Sequence, residues 1–563
     1  MIPGELAVVL GIFGLLYAVY RLLTRPSLSD IPGPEPTSFW LGHLPELFQE
    51  QSGDTDFRWQ EQYGSIVRVK APFGEDMLWI SDPKALQYVL QTSGYNFPKQ
   101  PERRVLSRLV GDTGLTWADG DVHKRQRKVM LPAFGSPESK ALLPVFRHYA
   151  EQVTLKWKDM LTGHPDSSIK MNVHEHIAPA TLEAIGEAAF DYKFGVLDDK
   201  TSELGRAYSN LIATIFSAPS NAKIFVQNVA HYIPMGIQQF FYDHLPGKGL
   251  DKARWNRDAA HKVANELLQI KNDALVTGKK ARDVMSILVR ENAKEPGESR
   301  MNHDEIVAQM RTIMLAGQET TSNTLSWAFL ELAKQPHIQT RLREEVHAME
   351  HTIRERGDAD FTVADFEAMP YLQAVLKEIL RFFPAVPHLF RQSLHDDVLP
   401  LSKPIRTRSG KVITEVPIRA GLRVILSVCA YNRCAALFLC VFFCVPMSLW
   451  GDREKDVWGE DAHTFNPERW LDSSKGKRGT SVGVYSNLLT FAGGIRACIG
   501  WRFAIYELQA FLTELVSNFQ FELTEDVNRI CKTTAIVMVP TLEGEVEKGA
   551  QLPLRVSLAP RDE

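Results

Sequence analysis

The residues best suited to chemistry lie in one short stretch of the 563-residue chain: Phe491-Ala492-Gly493-Gly494-Ile495-Arg496-Ala497-Cys498-Ile499-Gly500. The pattern is F-x-x-G-x-R-x-C-x-G. Glycines let a loop backbone come close to a flat group and take positive φ where needed. A thiolate at Cys498 could serve as a metal ligand, and Arg496 suits a carboxylate partner. A second group, Ala316-Gly317-Gln318-Glu319-Thr320-Thr321, sets an acid and hydroxyls beside two small residues. On a helix, such side chains interrupt the backbone ladder and can place water. The plainer alternative is a Thr320 that bonds back into its own helix and a Glu319 in an ordinary ion pair. Glu378 and Arg381 stand at i, i+3 and share a helical face. Arg469 follows in Phe465-Asn466-Pro467-Glu468-Arg469-Trp470. In the basic stretch 118–128, His123 and Arg127 stand at i, i+4, where both can donate to one anionic group; a solvated basic face is the other reading.

Together and in this order, the motifs resemble those of the cytochrome P-450 family, the haem-thiolate monooxygenases. The resemblance implies haem b, with Cys498 as the axial thiolate that favours O–O cleavage. It implies that Phe491, Ala316 and Gly317 lie against the haem and that Arg496, His123, Arg127 and Arg391 hold it. Glu319 and Thr320 would deliver protons for oxygen activation, while Glu378, Arg381 and Arg469 would be structural, as buried arginines that fix the haem-side core. One departure is plain: the family's usual W-x-x-x-R is H-x-x-x-R here, with His123 in the tryptophan's place. The likeness is to the microsomal, membrane-bound branch, and most to its fungal members. That branch takes electrons from NADPH through NADPH-cytochrome P-450 reductase, with cytochrome b5 as a further partner. Lys124, Arg125 and Lys128 would steer an acidic partner. The implied reaction inserts one atom of O2 into a lipophilic small molecule. A terpenoid or other secondary metabolite is the expected substrate; a fatty acid, a sterol or an aromatic hydrocarbon is the alternative. A P-450-fold isomerase or dehydratase commonly lacks the acid–threonine pair present here. The non-enzyme alternative is a haem-binding but inert protein.

These residues need a large scaffold, and the composition provides for one. With 23% charged and 44% hydrophobic residues and a net charge of −4, the chain is globular, not disordered or coiled. Nothing in that balance points to nucleic acid. The six cysteines have no paired spacing, which excludes a disulfide framework and structural zinc. The resemblance implies a mainly α (α+β) fold: one α-rich domain over 41–563 with a small β-rich lobe. Helical periodicity marks 140–160, 201–217, 255–275 and 303–335, and strands are expected near 64–69 and 77–81. The 303–335 helix starts at Asn302 with Glu305 placed for a capping box, and Pro336 should stop it.

The first 25 residues read as a transmembrane signal-anchor. An apolar run from Leu6 is followed by Arg21 and Arg25 and preceded by Glu5. That order holds the remainder in the cytosol, as a single-pass protein of the endoplasmic reticulum membrane. Ile31-Pro32-Gly33-Pro34-Glu35-Pro36, within a Pro-rich hinge at 26–40, is a stiff extended connector. Residues 434–453 do not fit. This stretch of 20 residues, Cys434 to Arg453, carries half of the cysteines where the family has a short polar turn, and deleting it restores Ala-Tyr-Asn-Arg-Glu-Lys-Asp-Val-Trp-Gly. A membrane-dipping segment and a functional insertion are two readings. The favoured one is a translated intron: it is in frame, its residues fit pyrimidine-rich codons, and the Arg433 and Arg453 codons permit both splice borders.

Overall fold

The computed structural model describes residues 28–164, 168–197, 203–277, 282–433, 458, 461–471 and 480–560. The apolar amino-terminal run and the 434–453 segment lie outside the described residues. Among the described residues no helix is long and apolar enough to cross a membrane.

Helices make up most of the fold, and the sheets are small. β1 (Ile66–Lys70) and β2 (Asp76–Ile80) pair antiparallel, with Ile66 opposite Ile80. Two later strands, β3 (His388–Gln392) and β4 (Arg423–Ser427), complete a sheet in the order β1-β2-β4-β3, in which β2 and β4 run parallel. Every residue of β4 is buried, as expected for a strand covered on both faces. The Pro-rich connector lies along this sheet. The Pro32 carbonyl accepts from the Arg68 N–H at 2.9 Å, and Glu35 pairs with Arg68 at 3.2 Å and Arg408 at 3.1 Å.

The helices that carry or back the site begin with α1 (Leu44–Gln49), α2 (Pro101–Gly111), α3 (Gly120–Met130) and α4 (Val173–Phe190). The expected single helix over 201–217 is two: Glu203–Tyr208, then α5 (Leu211–Phe216). Asn210 between them adopts φ +52, a left-handed conformation that asparagine tolerates and a helix does not. Next come α6 (Asn221–Val229), α7 (Met235–His244) and α8 (Lys248–Val276).

The long helix α9 (His303–Lys334) has the expected capping box. Glu305 N–H donates to Asn302 Oδ1 at 2.8 Å, and Asn302 N–H to the Glu305 carboxylate at 2.9 Å. Its 32 residues span about 48 Å, and α4 packs along it in the main core. Pro336 does end α9, but it also opens the next helix at the first position, where its missing N–H costs nothing. Two more helices carry site residues: α10 (Pro370–Phe382) and α11 (Trp501–Asn518).

Candidate active site: a cavity walled by Cys498

The 491–500 loop turns back just before α11. Cys498 N–H donates to the Phe491 carbonyl at 2.8 Å and closes the turn. Gly494 has φ +66, and a Cβ there would sit 2.0 Å from the Leu90 carbonyl oxygen; at Gly493 it would meet Val482 O, also at 2.0 Å. The close approaches that demand these two glycines are therefore to the chain's own backbone. Cys498 is open to an internal cavity of about 510 Å³. Burial pushes its thiol pKa up, opposed by the Gly500 N–H and the Arg127 charge.

Phe491, Arg496 and Cys498 line that cavity on the loop side, and Ala316, Gly317, Thr320 and Thr321 of α9 on another. Leu106, Ile313, Val386, Phe390 and Phe503 make much of the remaining wall apolar. A Cβ on Gly317 would reach 2.7 Å from Ile185 Cδ1, so packing against α4 requires the glycine. The Thr320 hydroxyl donates to the Ala316 carbonyl at 2.6 Å, the back-bonded arrangement. Glu319 does not line the cavity. It is buried at the start of α5, where its Oε1 accepts from Ile212 N–H at 2.8 Å. Burial raises its pKa to about 7 against the Ile212 and Leu211 N–H groups.

The expected cations converge at one end of this space. Arg496, His123, Arg127 and Arg391 all line the cavity, drawn from the loop, α3 and β3. His123 is 2% exposed, and its Nδ1 lies 3.1 Å from Tyr95 Oη. Burial and the charges of Lys99, Arg496 and Arg127 push it down to about 3, so it is neutral at physiological pH. Arg391 donates to the Phe390 carbonyl at 2.9 Å, and burial lowers its pKa to about 10.

Lys99 joins this group, although no motif contains it. Its Nζ donates to the carbonyls of Leu115 (3.0 Å) and Ala118 (2.6 Å), and burial pushes it down to about 7. Among the described residues, the carboxylate facing the cluster is Asp119. It pairs with Arg496 and accepts from Lys99 N–H at 2.8 Å. Sequence reasoning missed both residues: Asp119 caps α3 by accepting from Gly120 N–H, a signal that could have found it, whereas Lys99 carries none. Three arginines and a Lys99 that is about half charged at neutral pH, against one carboxylate, leave a surplus of enclosed positive charge, and Arg496 Nε has no hydrogen-bond partner among the described residues. A thiol at the wall and excess cations at one end fit a haem with its two carboxylates.

The structural trio is drawn together as expected. The Glu378 carboxylate accepts five hydrogen bonds: two from Arg381 (2.8 and 2.7 Å) and one each from Arg469 Nε, Trp470 Nε1 and Asn466 N–H. The network also holds both flanks of the 434–453 stretch. Arg381 Nη1 bridges the carbonyls of Asn432 (3.0 Å) and Ala462 (2.6 Å), and Trp458 Nε1 donates to the Tyr431 carbonyl at 2.9 Å. The basic face of α3 is less free than its sequence suggests: Lys124, Arg125 and Lys128 each pair within the chain, with Asp121, Glu305 and Glu295.

The family model described as Cytochrome P450 matches residues 32–438 and 444–547, and the gap falls inside the anomalous stretch. The chain is 31% identical to Cytochrome P450 monooxygenase 81 of Postia placenta, over 99% of this chain and 98% of that protein. It is also 31% identical to Ganoderic acid synthetase CYP5150L8 of Ganoderma lucidum, over 96% and 97%. Cytochrome P450 monooxygenase claQ of Ampulloclitocybe clavipes gives 31% over 96% and 95%. With these likenesses over nearly its whole length, the chain belongs to the cytochrome P450 family and is a monooxygenase.

Proposed function

We propose that this monooxygenase oxidises a lipophilic small molecule of secondary-metabolite, terpenoid type, with O2 and with electrons from NADPH through NADPH-cytochrome P-450 reductase. The observation that carries the reading is Cys498 opening into an apolar cavity with surplus positive charge at one end. Haem b, when bound, supplies the oxygen activation. The residues do the rest: Cys498 Sγ ligates the iron, and Arg496, Arg127, Arg391 and neutral His123 orient the carboxylates. The apolar wall holds the substrate and excludes water. Thr320 Oγ1 passes a proton into the cavity, and Glu319 resupplies it on leaving the Ile212 N–H. The relative named for ganoderic acid supports the substrate type.

The same proposal seats the protein on the endoplasmic reticulum membrane, its catalytic domain cytosolic and the 1–25 segment as anchor. An exposed apolar surface supports this. Phe39, Trp40, Phe73 and Phe225 touch edge to face, and on α7 Phe240 and Phe241 are 57% and 43% exposed. Those two phenylalanines are absent from the cavity wall. Patches of this kind mark protein or lipid contacts.

A second reading concerns 434–453. The pinned flanks support a functional chain that lacks this stretch, which is then a translated intron. The test for both readings is a reduced carbon-monoxide difference spectrum on membranes holding the full chain, beside the chain lacking 434–453. A thiolate-type Soret band from the shorter chain alone supports both, together with a message lacking these codons. The same band from the full chain overturns the intron. No band from either overturns Cys498 ligation.

A further inference from the structure

The cavity holds one more arginine, apart from the cluster that suits the haem. Arg103 stands on α2 and lines the same space. Its guanidinium lies 4.8 Å from the ring centroid of Phe48 on α1 and 4.0 Å from that of Phe390 on β3. The two ring centroids are 6.1 Å apart, so the rings flank the guanidinium without sandwiching it; each gives a cation–π contact, and neither accepts its N–H groups as a carboxylate would. Its Nε is buried without a hydrogen-bond partner among the described residues.

The charges around Arg103 set it apart. Its charged neighbours are Glu102 and Arg423, whereas those of Arg391 are Arg496 and Asp119. Glu102 is shared with Arg423, 3.6 Å away, and its Oε2 has no hydrogen-bond partner among the described residues. Burial lowers the Arg103 pKa to about 10, so it stays cationic at neutral pH. Among the described residues, the one carboxylate near this enclosed charge is shared with Arg423, so the charge is only partly compensated, and a ligand anion that pairs with it recovers the remaining cost. Ser107, one turn further along α2, lines the cavity too and adds a hydroxyl on the same helical face.

We propose that Arg103 binds a carboxylate on the substrate, so that the substrate class is a lipophilic carboxylic acid with its hydrocarbon body in the apolar part of the cavity. This rests on the monooxygenase reading and narrows it. Terpenoid acids and fatty acids share that chemistry, and two probe pairs separate them: dehydroabietic acid with its methyl ester, and oleic acid with its methyl ester.

The test is a spectral binding titration on membranes carrying whichever of the two chains gives the thiolate Soret band. That band is recorded first for every variant, so failure of the haem reading is seen separately. The expected result is an acid bound more tightly than its ester, with the acid-to-ester ratio falling roughly ten- to hundredfold in Arg103→Leu, the worth of a charge-assisted hydrogen bond. Arg103→Lys, which keeps the charge, should retain part of the preference. Preference within the abietic pair alone assigns a terpenoid acid, and within the oleic pair alone a fatty acid. A haem-loaded enzyme showing no acid-selective shift with either pair overturns the proposal, as does an acid preference that survives Arg103→Leu.

Discussion

Two buried ionic clusters in this molecule are built on opposite terms. Around Glu378 the charges are closed: its carboxylate takes five donors, and the arginines that supply three of them spend their other N–H groups on backbone carbonyls and on the Asp461 carboxylate. Around Asp119 the charges are open, with Lys99, Arg127, Arg391 and Arg496 facing a cavity and one carboxylate among them. A saturated cluster fixes local geometry and has no capacity left for a ligand. An unsaturated one is poorly solvated until an anion arrives, so its energy is spent on binding. The fold thus separates ions that satisfy one another from ions left open to a ligand anion.

The contrast breaks most visibly at the closed cluster. Glu378→Leu strands Arg381 and Arg469 in the core and should cost about 3–5 kcal/mol, read as loss of folded protein or a large fall in the urea midpoint. If that variant is as stable as its parent, the cluster was not holding the fold.

At the open cluster the effect should depend on pH. The folded Lys99 pKa, about 7, lies below its ordinary 10.5, so between those values the unfolded chain binds more protons than the folded one. Stability of the haem-free chain should therefore rise with pH across that window, on the order of 1 kcal/mol per pH unit. Below pH 7 the penalty is fully present. Urea melts of Lys99→Met should lack this slope, and so should the haem-loaded protein. A smaller change is expected for Arg391→Leu: release of haem to apomyoglobin about tenfold faster, the worth of one charge-assisted contact, with no loss of stability in the haem-free chain. Least of all, Lys128→Ala should alter reductase-supported haem reduction by less than about twofold, because Glu295 already pairs with that exposed charge.

The closed cluster was easier to see in the sequence than the open one. Glu378 and Arg381 declare themselves by helical spacing, Arg469 by its motif, and Cys498 and Arg496 by the loop pattern. Lys99 sits in no pattern, because what matters about it is depth and a neighbour brought close by folding. Glu319 shows the limit of periodicity. Spacing places it on α9 beside Thr320, but whether the carboxyl turns to the cavity or to the amino end of α5 depends on where α5 begins, which the left-handed Asn210 decides. Phe240 and Phe241 show a related limit, since apolar character does not say whether a face meets the core or the outside.

The contact between Asp119 and Arg496 spans 377 residues of chain. At about 5–20 residues per second, a ribosome needs roughly 20–75 s to deliver the second partner after the first. For all that time the cofactor end of the cavity does not exist, and no growing chain can capture haem there. On the proposed reading of this cluster, haem is therefore captured only by finished chains. Scarcity leaves complete molecules carrying excess enclosed charge, exposed to the cell's quality control, instead of slowing those still being made.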